Sequence, residues 1–413
     1  MRTATINGMA SLLARAAVAA LFCSALCSQK LQVYVLVGQS NMQGHAKVQT
    51  FDYLGDDPAT APLLAKMRGD DGAPTIVDDV HIAYLTGNRD GDQEVKGQLT
   101  AGFGARRNPQ RSDDKIGPEF TFGMRMRELH GGPVLLIKCA WGGKSLHTDF
   151  RSPSAGAYQF SPQQLEQMEK RGKDVAAEQA SKRDKTGHYY RSTVAYVKKV
   201  LADLSSYHPG YDAKSGYELG GFVWFQGWND MVDRGTYPQR DQKGGYDAYS
   251  DNLAHMIRDV RKDLEAPELP FVIGVMGVGG AIEPGQKRAV HANFRAAMRA
   301  PASLPEFRGN VSAVATDPFW AKELDAISAR MGKVSDMART LRNKNKRGPN
   351  ADGSMSAADQ KAYLAKYRRT VVSEEDEATY KRGASNGGYH YLGCAKTMAQ
   401  IGVAFADAAF GMR

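Results

Sequence analysis

Metal-ligand spacing is missing from this chain. No CxxC, HExxH or calcium-loop pattern occurs anywhere in its 413 residues, and no cofactor motif replaces them. Metal or cofactor dependence is therefore not expected. The four cysteines are too few for a disulfide scaffold. No apolar run reaches the length of a membrane span. Basic residues interleaved with aromatics, or an RNP-like segment, are also lacking, so the formal net charge of +9 describes a solvated surface better than a nucleic-acid site. Attraction to an anionic polysaccharide is a weaker reading of that charge. What the chain does have is 42% hydrophobic and 24% charged residues, enough to bury a large globular core.

The N-terminus carries a different signal. Arg2 and Arg15 precede Ala16–Cys27, AAVAALFCSALC, and a strand-like run follows directly. This is the layout of a secretory signal peptide over residues 1–27, which predicts a secreted or periplasmic protein with no transmembrane segment after cleavage. Leu26 and Phe22 stand before Cys27 and Cys23 where a lipoprotein box needs a small residue. Cleavage removes Arg2 and Arg15, lowering the charge to +7. Cys139 and Cys394 remain, as a bridged pair or as two buried thiols.

The organising stretch is Leu31–Gly44, LQVYVLVGQSNMQG, a β-branched run that stops at Gly38-Gln39-Ser40. Such a run ending in a glycine turn reads as a buried parallel strand with a loop at its C-terminal end, where open α/β sheets place their sites. Ser40 is then either an N-cap or an exposed nucleophile. Met42 keeps the segment from matching the G-x-S-x-G elbow. Further strands are expected at Val77–Leu85, Gly132–Cys139, Leu219–Gln226 and Leu269–Met276, with a short addition at Asn310–Thr316. Gly87–Ser112 reads as a glycine-rich loop. Helical spacing marks Pro118–Leu129, Tyr189–Leu204 and Gly245–Leu264. Segments 149–187 and 320–382 are polar, charged helical insertions that lack the apolar content for cores of their own.

Two further turns follow strand ends, Ala140-Trp141-Gly142-Gly143 and Gly227-Trp228-Asn229-Asp230, and His390 stands in a loop before the last helix. The order GQSNM, a Gly-Gly turn, GWND and a late histidine resembles the SGNH/GDSL hydrolases, in the branch of sialate O-acetylesterase and related carbohydrate acetylesterases. The resemblance implies a flavodoxin-like three-layer α/β/α sandwich over residues 28–413, with a central parallel sheet of about five strands. It implies a serine esterase acting on acetylated carbohydrate, with Ser40 as nucleophile and His390 as general base. Ser40, Gly142 and Asn229 would form the oxyanion hole, while Gln39, Gln226, Gly143 and Asp230 would shape the substrate pocket. The family's DxxH motif is broken by Gly387 at the acidic position. Asp317 or the acidic run Glu374–Glu377 could supply a carboxylate, and Asn386 could orient the ring without charge. A silent glycan-binding protein of the same fold and an SGNH lipase or arylesterase are the alternatives.

Overall fold

The computed structural model describes residues 29–88, 91–105 and 114–413. The predicted leader, with Cys23 and Cys27, lies outside the described residues. Seven strands form the central sheet. They are β1 (Leu31–Gly38), β2 (Val80–Asn88), β3 (Gly91–Gln98), β4 (Val134–Ala140), β5 (Tyr217–Phe225), β6 (Phe271–Val275) and β7 (Val311–Ala315). Their spatial order is β3-β2-β4-β1-β5-β6-β7. All neighbours are parallel except β2 and β3, which pair as an antiparallel hairpin. Without that hairpin the order is the 2-1-3-4-5 of the flavodoxin-like sheet, whose crevice lies at the C-terminal strand ends where the winding reverses beside β1.

The sheet is thus larger than the five strands expected. Asn310–Thr316 supplies one addition, and the segment read as a loop supplies another. β3, GDQEVKGQ, has no apolar face, and its residues alternate between exposed and half-buried. Periodicity cannot reveal such a strand, because its order comes from pairing with β2 rather than from burial.

β1 is the opposite case, with every residue buried. Parallel strands are covered on both faces, and alternate side chains show how. Trp224 of β5 points one way, its indole N–H donating to Tyr249 Oη (3.4 Å) on the helix Asp247–Asp263. Phe225 points the other way, its ring 5.3 Å from that of Phe405 on the C-terminal helix Ala395–Phe410. That helix lies against Glu119–His130, and the two approach closely at Gly402. A Cβ there would come within 2.3 Å of the Pro118 carbonyl.

Cys139 and Cys394 are free, buried thiols. The 320–382 segment folds as the helices Lys322–Arg342, Ala357–Val371 and Glu374–Gly383, burying few apolar residues, Leu324, Ile327 and Leu341 among them. It leans on Val48–Asp56, where Tyr53 Oη donates to Glu323 (2.8 Å) and Arg382 pairs with Asp56. No helix among the described residues is long and apolar enough to cross a membrane.

Candidate active site

Ser40 stands at the end of β1 as the first residue of a four-residue helical turn, 9% exposed. Gly38 makes the turn fit, since a Cβ there would lie 2.1 Å from the Phe225 carbonyl. Beneath the turn lies an ion pair with both side chains fully buried: Lys138 Nζ is 2.7 Å from Glu119 Oε2. Lys138 also donates to the carbonyls of Gln43 (2.9 Å) and Phe103 (2.8 Å), so it holds the end of the Ser40 turn from below. Glu119 Oε1 accepts from the Gly117 amide at 2.8 Å. Burial raises the Glu119 pKa against the opposing pull of Lys138. Sequence reasoning missed this pair, although a lysine inside the apolar run VLLIKCA was its signal.

Gly142 and Gly143 follow β4, and the N–H groups of both are unspent among the described residues. A side chain on Gly142 would meet Gln43 Oε1 at 3.0 Å, so this loop comes up against the Ser40 turn. After β5, Asn229 Nδ2 donates to the Gly143 carbonyl at 3.1 Å. An amide nitrogen carries two hydrogens, so one is left over.

Gln39, Gln226 and Asp230 do not line an open surface. Asp230 is fully buried and ringed by donors: Leu146 N (2.9 Å), His147 N (3.0 Å), Gln226 Nε2 (2.5 Å) and Tyr237 Oη (3.2 Å). Burial raises its pKa, while His147 and the hydrogen-bond donors pull it back. Gln226 Nε2 also lies within hydrogen-bond reach of Gln39 Oε1 (3.1 Å) and the Lys144 carbonyl (3.0 Å), so its two hydrogens serve three acceptors. These three side chains tie the Ser40, Gly142 and Asn229 loops together from inside, which is a scaffold's position rather than a sugar contact. Their polarity at strand ends could not reveal which way they face.

His390 arrives from the far end of the chain. The turn Gly388–Gly393 packs on the Ser40 turn, with Asn41 Nδ2 donating to the Tyr389 carbonyl at 3.2 Å. No hydrogen bond joins the Ser40 hydroxyl to the His390 ring; in unliganded sites such bonds are often long and tighten with substrate. His390 Nδ1 lies 3.0 Å from Asn386 Oδ1. Its ring stacks on that of His45, with centroids 3.8 Å apart and planes 3° apart. Burial lowers its pKa to about 4, and no charged neighbour contributes to the shift.

The carboxylates suggested by the sequence are engaged elsewhere. Asp317 faces Arg295 (3.9 Å) and Arg299 (3.8 Å), while the Glu374–Glu377 run pairs with Arg330, Arg368 and Arg369. Tyr391 and Leu392 take left-handed φ values of 51° and 59°, bending the chain so that the Leu392 carbonyl accepts from Ser385 N and Asn386 N. That bend sets Asn386 beside the ring. Tyr391 Oη anchors it, accepting from Gly277 N at 2.7 Å. Among the described residues no group of His, Cys, Asp and Glu side chains is arranged to hold a metal.

A family model described as carbohydrate esterase, sialic acid-specific acetylesterase, matches residues 30–316, well over half of the chain. The chain belongs to that family. Membership makes it a carboxylic ester hydrolase acting on acetylated carbohydrate. The match takes in Ser40, Gly142 and Asn229 and ends before the helical insertion and His390. No curated protein matches the chain. Among solved structures it is similar to a protein from Arabidopsis thaliana, at 17% identity and TM-score 0.36, covering 70% of this chain and 86% of that one. It is similar to NanS, at 15% and 0.36, covering 70% and 78%. It is similar also to a carbohydrate acetylesterase from Xanthomonas citri, at 13% and 0.35, covering 68% of this chain and 49% of that one.

Proposed function

We propose that this chain is an exported serine esterase that removes O-acetyl groups from carbohydrates through an acetyl-enzyme, with Ser40 as nucleophile and His390 as general base. One observation carries the reading. Three loops from adjacent parallel strand ends, bearing Ser40, Gly142 and Asn229, come together, and the first and last of them meet the late turn that bears His390.

In this mechanism Ser40 Oγ attacks the acetyl carbonyl carbon while His390 Nε2 takes the hydroxyl proton. Negative charge on the carbonyl oxygen is met by the N–H groups of Ser40 and Gly142 and by the second Asn229 amide hydrogen. Collapse breaks the bond to the sugar oxygen, which leaves with the proton from His390. Water, deprotonated by His390, then attacks the acetyl-serine and releases acetate.

The sugar side has a place beside the site. Trp228, next to Asn229, borders a cleft of about 750 Å³ whose wall carries Arg240, Lys287, Arg288 and one acid, Asp241. Tyr389 is 49% exposed, and its ring lies 6.1 Å from Trp228 and 4.4 Å from His390. An exposed tyrosine beside a half-buried tryptophan suits the apolar face of a sugar ring. Export rests on the leader sequence, Arg2 and Arg15 ahead of Ala16–Cys27.

The test is hydrolysis of 4-nitrophenyl acetate by wild type and Ser40→Ala, followed by acetate release from O-acetylated sugars. Turnover that disappears in the variant supports the esterase. Sugar binding without turnover in either protein would favour the silent glycan-binding alternative.

A further inference from the structure

We propose that Asn386 is the positioning residue of this site: an uncharged replacement for the triad acid that fixes His390 in the tautomer with its proton on Nδ1. The inference rests on the esterase reading above and deepens it.

Asn386 Oδ1 accepts the Gly387 backbone N–H at 2.7 Å, and a backbone N–H can only donate. The atom facing Gly387 is therefore the oxygen, and the same oxygen lies 3.0 Å from His390 Nδ1. An acceptor at that distance demands a donor, so the Nδ1 proton is present and the lone pair of the neutral ring sits on Nε2. That is the nitrogen a base needs to receive a serine proton, and it is the role a carboxylate fills in a Ser-His-Asp triad.

The other end of the amide supports the same assignment. Asn386 Nδ2 points to His45 Nδ1 at 3.5 Å, an arrangement that suits a neutral His45 accepting on that atom. A neutral imidazole lying flat on His390 offers a π face to the imidazolium formed during turnover, whereas a protonated one would repel it. The aromatic ring of Tyr389 covers another side, and no carboxylate among the described residues is close enough to shift His390. The site thus steers the proton by hydrogen-bond geometry and leaves out the charge that would raise the basicity of the ring.

The test compares wild type, Asn386→Ala and Asn386→Asp, using steady-state kinetics and imidazole ¹⁵N shifts of His390, assigned by loss of the signal in His390→Gln. Asn386→Ala should lower kcat by roughly 10- to 100-fold, as removal of a ring-orienting partner does, with KM within about twofold. Its ¹⁵N shifts should show mixed tautomers in place of the Nδ1–H form. Asn386→Asp puts a negative oxygen at the same point. It should keep kcat within about an order of magnitude and move the acidic limb of kcat/KM upward by about one to two pH units.

A purely structural role would leave both kcat and the His390 tautomer of the folded Asn386→Ala protein unchanged. Wild-type kcat in Asn386→Ala, or an unchanged acidic limb and unchanged His390 pKa in Asn386→Asp, would overturn the proposal. Should Asn386→Ala fail to fold, Asn386→Asp decides alone. The nitrogen shifts need no turnover, so they separate failure of this assignment from failure of the esterase reading.

Discussion

Replacing Lys138 by methionine removes a charge from the centre of the support beneath Ser40 and leaves the size of the side chain nearly unchanged. In the folded protein Lys138 and Glu119 are both fully buried, and the ammonium bonds to Glu119 and to the Gln43 and Phe103 carbonyls. Losing the lysine strands a buried carboxylate, a change that costs about 3–5 kcal/mol. The two abandoned carbonyls add up to about 1 kcal/mol each, reduced by whatever relaxation lets water reach them. Total destabilisation should be about 3–7 kcal/mol, a large share of the 5–15 kcal/mol typical of a folded domain.

Glu119→Gln in the same background removes the stranded charge while keeping an oxygen for the Gly117 amide, and it should restore about 2 kcal/mol or more. Urea unfolding followed by the fluorescence of the four tryptophans gives each free energy, and the double-mutant cycle gives the coupling. Activity should fall in Lys138→Met even well below its melting temperature, because Gln43 closes the turn that Ser40 opens. Destabilisation under about 1 kcal/mol, or a double variant no more stable than Lys138→Met, would refute the claim that the pair is a coupled unit holding the turn.

Other consequences are equally open to measurement. His390 must be neutral to act as base, and burial lowers its pKa to about 4, so kcat/KM should stay level from pH 8 down to about 5 and fall with an apparent pKa near 4. A limb at the ordinary imidazole value near 6.5 would contradict this. The same shift carries a stability sign. Between pH 6.5 and about 4 the unfolded chain binds a proton that the folded ring refuses, so this residue's contribution to stability declines as pH falls through that window. Asp230→Asn turns an acceptor that four donors share into a group with its own N–H₂ facing some of them. It should cost about 2–3 kcal/mol in stability and lower kcat at least tenfold by loosening the Gly142 loop, read by thermal melts and hydrolysis of 4-nitrophenyl acetate.

The parts of the molecule legible in the sequence are those where burial writes a pattern. β1, β4, β5 and β6 are apolar runs because helices cover both faces of a parallel sheet, and the turns after the first three carry Ser40, Gly142 and Asn229 where each strand stops. β3 was not legible, since its polar residues are ordered by pairing with β2 alone. Asn386 stands four residues before His390, a spacing that would place the two apart in extended chain. The consecutive left-handed residues Tyr391 and Leu392 bring them together, and neither is a residue type that announces positive φ. Glu119 opens a helix and Lys138 lies in the strand that follows it, 19 residues on, so the lysine's oddity was visible but its partner was not. Gln39, Gln226 and Asp230 show the same limit from the other side, because polarity near a strand end marks a site without saying whether a side chain faces substrate or supports the wall.

The central claim is that an acetyl group passes through the Ser40 hydroxyl. Rapid acid quench of wild-type enzyme turning over 4-nitrophenyl acetate, followed by peptide mass mapping, tests it most directly. Acetyl should appear on the peptide holding Gln39–Met42 and on no other, and should be absent from Ser40→Ala. Acetyl on another side chain, or hydrolysis that survives Ser40→Ala undiminished, would contradict it.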